Sequence, residues 1–414
     1  MKNVNQEFHT FKIIFNNELR GFLRSIKPYS PNEPIPSSFW KVGYYDFFCF
    51  FIFFTVSVSI WLATYLTGDF KSIIAYWDGP NYVYAAITLY EIPRDNPWFQ
   101  LFGYKPDYFA CHLPGYPLLI RLCSFFTCSN YIYADFLSII ICNFLIVYSF
   151  RRFLMVYNCV SNPILTTCLL SLIPMRFTIY HSVIASEPLF ITLVCFSLIF
   201  YKINSFSAML ISVWGCCIIR IEGMAVGFAI GLCFLLLKDI WNALKMFLTF
   251  VPILILLLFH YAMFSDMFAY VHFNSGVQHL VTWPPFPEIR SFKTDYDILH
   301  LHSFIDFFIP LIIGTICLFK HSGPIAIFSF VNLIYVSLLQ HLDLYRYSLP
   351  AAVFSYLIGF DVFWSSKYGK SICILGLPLY FVGILIYSSG QIHSNRCSDQ
   401  FLDAVFDAAK ESIH

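Results

Sequence analysis

An acid that is to take a proton from an alcohol must be held in place, with a neighbour that sets its basicity. The run Tyr76-Trp77-Asp78-Gly79-Pro80-Asn81-Tyr82 offers such an acid, Asp78, flanked by Trp77 on one side and a Gly-Pro pair on the other. Asp78 is the candidate catalytic base for a sugar hydroxyl; the competing role is a local one, because Asp ahead of Gly-Pro commonly caps a helix. Further on, Ala110-Cys111-His112-Leu113-Pro114-Gly115-Tyr116-Pro117 brings in His112 and Tyr116. Three later turns each carry an arginine beside an acid: Arg176 with Glu187, Arg220 with Glu222, and Asp343 with Arg346. A guanidinium grips two phosphate oxygens at once. Arg220 and Arg346 are therefore candidate phosphate contacts, with Glu222 and His341 beside them, and structural ion pairing is the alternative.

These residues belong to a chain of 414 residues that is 58% hydrophobic, 20% aromatic and only 12% charged. Ordinary soluble domains carry about 25% charged residues, so the composition excludes a soluble enzyme, a nucleic-acid binder and a disordered scaffold. Apolar blocks near 46–66, 131–150, 162–176, 187–203, 206–219, 223–237, 246–265, 303–319, 322–341, 347–365 and 371–390 give an all-α integral membrane protein with about 11 transmembrane helices. Residues 1–45 carry Lys2, Lys12, Arg20, Arg24, Lys27 and Lys41, which puts this segment in the cytosol by the positive-inside rule. Arg151-Arg152, Lys202, Lys238 with Lys245, Lys320, and Lys367 with Lys370 then all fall in cytosolic loops. The transmembrane domain spans 46–390, with non-cytosolic loops at 67–130 and 266–302 and a tail at 391–414. Within the first loop, 69–90 and 113–127 are expected to be amphipathic helices lying on the membrane surface; the second of these contains Arg121 and is too short to cross.

The 14 cysteines are scattered, several within apolar blocks (Cys142, Cys168, Cys195), where a thiol behaves as a small hydrophobe. Cys123 and Cys128, or the adjacent Cys216-Cys217, do not have zinc-site spacing, and His300-x-His302 alone does not make a metal site. A divalent ion would call for more carboxylates near Asp78 than Glu91 and Asp95, so no metal or other cofactor is expected. His112, His181, His272, His279 and His341 all map to the non-cytosolic side. Trp283-Pro284-Pro285-Phe286-Pro287 makes the 266–302 loop rigid and extended, as a substrate lid or a surface loop would be. No sequon, GxGxxG or P-loop occurs, and nucleotide binding has no sequence support.

Trp77-Asp78-Gly79 with Tyr82 after the first span, followed by Leu113-Pro114-Gly115-Tyr116-Pro117, resembles the first luminal loop of the GT-C glycosyltransferases. The pattern is most similar to the GPI mannosyltransferase 2 family and its prokaryotic relatives. The resemblance implies a GT-C fold and the transfer of a sugar, with mannose expected, from a polyprenyl- or dolichyl-phosphate donor to a glycolipid or glycan acceptor on the non-cytosolic face. It implies Asp78 as base, and donor or acceptor contacts at Trp77, His112, Tyr116, Arg220, Glu222, His341 and Arg346. The membrane would be that of the endoplasmic reticulum in a eukaryote and the cell (inner) membrane in a prokaryote. His112 stands where the family pattern has an aromatic residue. Gly79 stands where protein O-mannosyltransferases have the second acid of an Asp-Glu pair, and one carboxylate fits a single inverting displacement. The expected partners are the lipid-linked donor, the acceptor and membrane lipids, with no nucleic acid. The rival readings are a lipid or sugar-lipid transporter or flippase, which would place ionisable groups near mid-membrane and carry internal repeats, and a non-catalytic subunit of a membrane glycosylation complex.

Overall fold

A computed structural model describes residues 19–30, 36–92, 106–277, 281, 283, 285, 295–340 and 343–411. Asp95, His279 and His341, Pro284, Phe286 and Pro287, and the side chains of His300 and His302, lie outside the described residues. Among the described residues the architecture is helical, and two isolated bridges are its extended pairings.

The first long helix, α1 (Tyr44–Thr67), is apolar on all sides. Cys49, Phe53, Val56 and Ile60 face inward at helical spacing, and Phe47, Phe51, Leu62 and Leu66 are left exposed, as a helix facing lipid on one side requires. The short α2 (Lys71–Ala75) and α3 (Gly79–Thr88) follow, and then α4 (Gly115–Ser124) and α5 (Tyr131–Tyr157). Beyond α5 lie α6 (Pro163–Leu169), α7 (Met175–Tyr180), α8 (Glu187–Lys202), α9 (Phe206–Ile219) and α10 (Gly223–Leu236). The chain continues through α11 (Phe250–Phe264), α12 (Asp295–His321), α13 (Gly323–Ser337) and α14 (Leu344–Leu357). It closes with α15 (Asp361–Ser365), α16 (Lys367–Ser394) and α17 (Asp399–Glu411).

Among the described residues four segments are long and apolar enough to cross a membrane: Ser37–Thr67, Tyr131–Tyr157, Ile240–Phe264 and Lys367–Ser394. The apolar helices α9, α10 and α13 are shorter; at 14 residues, α9 and α10 reach about 21 Å against a hydrocarbon core of about 30 Å. The expected span at 162–176 is two helices, α6 and α7, because Pro174 starts a new helix rather than continuing the old one. The expected span at 347–365 is likewise divided into α14 and α15. In the first loop the segment 69–90, expected as a surface helix, is α2 and α3, whose residues 72–75 and 79–86 are buried in the protein instead, and 113–127 is α4.

α8 packs between α5 and α9, α12 to α14 pack on one another, and α16 lies along α1. At one end of the bundle Asp46 binds both Arg151 (2.6 Å) and Arg152 (2.8 Å), tying the start of α1 to the end of α5. The opposite end gathers the turns that carry the candidate site.

Candidate active site

The turn between α2 and α3 presents Asp78. Although it occupies the capping position of α3, its side chain makes no cap hydrogen bond, so the local role open to it in the sequence is not the one it plays. Its Oδ2 accepts from Arg346 Nη1 at 2.6 Å and its Oδ1 lies 3.3 Å from His112 Nε2. The carboxylate is 21% exposed and opens on a cavity of about 600 Å³. Burial alone would raise its pKa, but the charge of Arg346 and the adjacent His112 outweigh that and hold the carboxyl well below the usual carboxylate range.

His112 reaches Asp78 from the Pro-Gly stretch. Its ring is wedged edge-on between Tyr82 and Tyr108 (5.4 and 5.0 Å), and its Nδ1 has no hydrogen-bond partner among the described residues. The glycine of that stretch is needed for a close approach: a Cβ on Gly115 would sit 2.6 Å from Ile219 Cγ1 and 2.8 Å from the Ile218 carbonyl oxygen. That contact sets the start of α4 against the end of α9, beside Arg220. Gly79 is confined in the same way, by the Ile74 carbonyl oxygen at 2.9 Å.

Arg220 and Arg346 both line the cavity, and each is held between two carboxylates. Arg220 donates to Glu187 (2.7 Å) and Glu222 (2.9 Å). Arg346 donates to Asp78 and, through Nε, to Glu187. Tyr347 and Tyr180 lie under the two guanidiniums at 5.7 and 5.2 Å. The fully buried Glu187 is thus the hub of the cluster; its Oε1 takes both arginines and its Oε2 has no hydrogen-bond partner among the described residues.

Two of the pairings expected from the sequence are different in the structure. Arg176 binds Asp343 (2.9 Å), Tyr387 and Gln391 rather than Glu187. Asp343 binds Arg176 and the Tyr180 hydroxyl rather than Arg346. Burial would raise the Asp343 carboxyl, and Arg176 more than offsets it, so its pKa also lies below the usual range. Around one cavity, four carboxylates (Asp78, Glu187, Glu222, Asp343) meet three guanidiniums (Arg176, Arg220, Arg346).

Trp77 lines the cavity and is 44% exposed. Its φ of 37° lies in the left-handed region that a bulky residue rarely adopts. Tyr116, expected to touch substrate, is buried one layer behind: it packs edge-on to Tyr82 at 5.2 Å and hydrogen-bonds Ser138. Tyr82 is the residue that faces the cavity. The 266–302 loop contributes Tyr270 and Asn274 to the wall. Among the described residues no group of three or more His, Cys, Asp or Glu is arranged to hold a metal ion.

Glu187, Tyr82, Arg176, Asp343 and the wall from α16 were not among the residues singled out as the site. For Glu187 a signal existed: it is an acid opening a fully apolar helix, Glu187-Pro188-Leu189-Phe190, where an ionisable group is costly unless paired. The chain matches no known protein family and no curated protein.

Proposed function

We propose that the protein is a GT-C-type glycosyltransferase with about eleven crossing segments. In this reading it moves a sugar, mannose by resemblance, from a polyprenyl- or dolichyl-phosphate donor to a hydroxyl of a glycolipid or glycan acceptor. The observation that carries the reading is the state of Asp78: its carboxylate is free of capping, faces a cavity, and is kept ionised by Arg346 beside it. Asp78 takes the proton of the acceptor hydroxyl as that oxygen attacks C1 of the sugar from the side opposite the phosphate. The bond from C1 to the phosphate oxygen breaks, its electron pair leaves with the phosphate, and the configuration at C1 inverts. Guanidiniums in a sheltered cavity offset the charge that develops on the leaving phosphate. The membrane is that of the endoplasmic reticulum in a eukaryote and the cell membrane in a prokaryote.

A transporter reading is disfavoured by where the charges are. The ionisable cluster sits in the turns at one end of the helices rather than halfway along them, and a substrate carried by alternating access binds near mid-membrane.

The test is purified protein in detergent with a panel of polyprenyl-phosphate sugars, reading release of polyprenyl phosphate. Wild type is expected to release it from at least one donor, and Asp78→Asn to lower the rate by about 10²–10⁴-fold at equal folded protein. Wild-type turnover in the Asn variant removes Asp78 from the mechanism.

A further inference from the structure

The chain leaves α16 directly beside the Asp78 turn and pairs with it. Trp77 N–H donates to the Asn395 carbonyl (3.0 Å), Cys397 N–H donates to the Ala75 carbonyl (2.8 Å), and Tyr76 and Arg396 form an antiparallel bridge. The strained Trp77 backbone is therefore held from outside its own loop, at the residue next to Asp78. α17 backs this strip: Phe401, Leu402, Val405 and Ala409 recur on one helix face and are buried with Tyr84 and Val83 of α3.

The same strip lines the cavity. Gln391, Ser394 and Asn395 all reach it, and they share one face of the last turn of α16 by their spacing. Gln391 Oε1 accepts from Arg176 (2.7 Å) and from Asn395 Nδ2 (3.1 Å). That leaves Gln391 Nε2 to donate and Asn395 Oδ1 to accept, with no other polar partner for either among the described residues. A neutral donor and a neutral acceptor side by side match two neighbouring hydroxyls of a sugar ring; the three side chains are uncharged, and Arg396 of the same segment pairs with Asp399 instead of lining the cavity.

We infer that the segment Gln391–Cys397 is a working wall of the site, which positions Asp78 through backbone pairing and binds a sugar ring through Gln391, Ser394 and Asn395. The sugar is that of the donor or that of the acceptor, and both share this chemistry. The inference rests on the glycosyltransferase reading for the sugar and on geometry alone for the brace.

The full-length protein carries both tests. Cys397→Pro removes the N–H that holds Ala75, whereas Cys397→Ala keeps it. In amide hydrogen exchange the Trp77 amide is expected to be protected in wild type and in Cys397→Ala, and to exchange at least tenfold faster in Cys397→Pro. In turnover, Cys397→Pro is expected to lower kcat at least tenfold with little change in either KM, and Cys397→Ala to recover most of the loss. Asn395→Ala is expected to raise KM several-fold for one substrate and not the other. A rise for polyprenyl-phosphate mannose assigns the wall to the donor sugar, and a rise for the acceptor assigns it to the acceptor. An unprotected Trp77 amide in wild type overturns the brace, as does full kcat in Cys397→Pro. Unchanged KM for both substrates in Asn395→Ala overturns the sugar wall. If Cys397→Pro does not fold, the wild-type exchange of Trp77 and the Asn395→Ala kinetics still decide the two parts. A wild type that releases no polyprenyl phosphate from any donor counts against the glycosyltransferase reading and leaves the exchange test of the brace intact.

Discussion

With a guanidinium 2.6 Å away, Asp78 stays ionised far into acid, and the same contact makes it a poor proton acceptor, because base strength falls with pKa. Arg346 thus trades reactivity for readiness. Replacing it separates the two effects. In Arg346→Gln the carboxylate loses its cation, its pKa rises toward the ordinary carboxylate range, and it becomes protonated at a higher pH. The acid limb of kcat/KM against pH is expected to move upward in Arg346→Gln and to lie lower in wild type. Superimposable acid limbs mean that Arg346 does not set the charge of Asp78. Asp78, His112, Arg220, Glu222, Arg346 and Trp77 were each legible as individual residues, and the structure gathers them on one cavity. Their partners were not. Asp343 and Arg346 are three apart in sequence, yet they bind Arg176 and Asp78 from distant segments. Which acid meets which base is decided by how helices pack, and adjacency in the chain says little about it.

Among the elements, α8 does most to assemble the site, because its first residue serves the α9–α10 turn and the start of α14 together. Glu187→Gln keeps the shape and an acceptor oxygen but removes the charge that two buried arginines share. Breaking a buried pair from one side costs about 3–5 kcal/mol, so a large drop in thermal unfolding temperature in detergent is expected. An unshifted transition means that the other carboxylates already balance both cations. Gly115→Ala is expected to part α4 from α9 and to lower turnover, with the protein still folded; normal activity means that the close approach at Ile218 can relax freely. Most helices were legible because a run of apolar residues with a polar turn at each end announces itself. The breaks after Leu169 and after Leu357 were not, since an average over about 19 residues passes smoothly over a short interruption. The 391–414 tail was placed only as a tail on the far side, because the backbone pairing of Asn395 and Cys397 with the Asp78 turn leaves no mark on side-chain type.

At the scale of the molecule, the two charged clusters sit at opposite ends of the long helices. Asp46 with Arg151 and Arg152 marks one end, and the cavity around Asp78 the other. The expected topology, with a cytosolic basic side, has a direct test at these two ends. In a protein depleted of its own cysteines, Ser129→Cys and Asn158→Cys place single exposed thiols at the two ends of α5. An impermeant maleimide applied to the non-cytosolic face is expected to label position 129 and to spare position 158. The reverse pattern inverts the topology.

Three carboxylates and three guanidiniums line the cavity, and Glu187, buried behind its wall, adds a fourth acid, which has a consequence for traffic through it. An anionic lipid head entering among charges that are already matched meets repulsion, unless a compensating positive charge arrives with it. Entry is then an exchange in which a hydrogen ion accompanies the lipid. By reciprocity, a ligand that draws in a hydrogen ion binds more tightly as the pH falls. Calorimetry of polyprenyl phosphate in buffers of different ionisation enthalpy would register this as uptake from the buffer. Heats that do not depend on the buffer would mean that the head is neutralised entirely by the arginines.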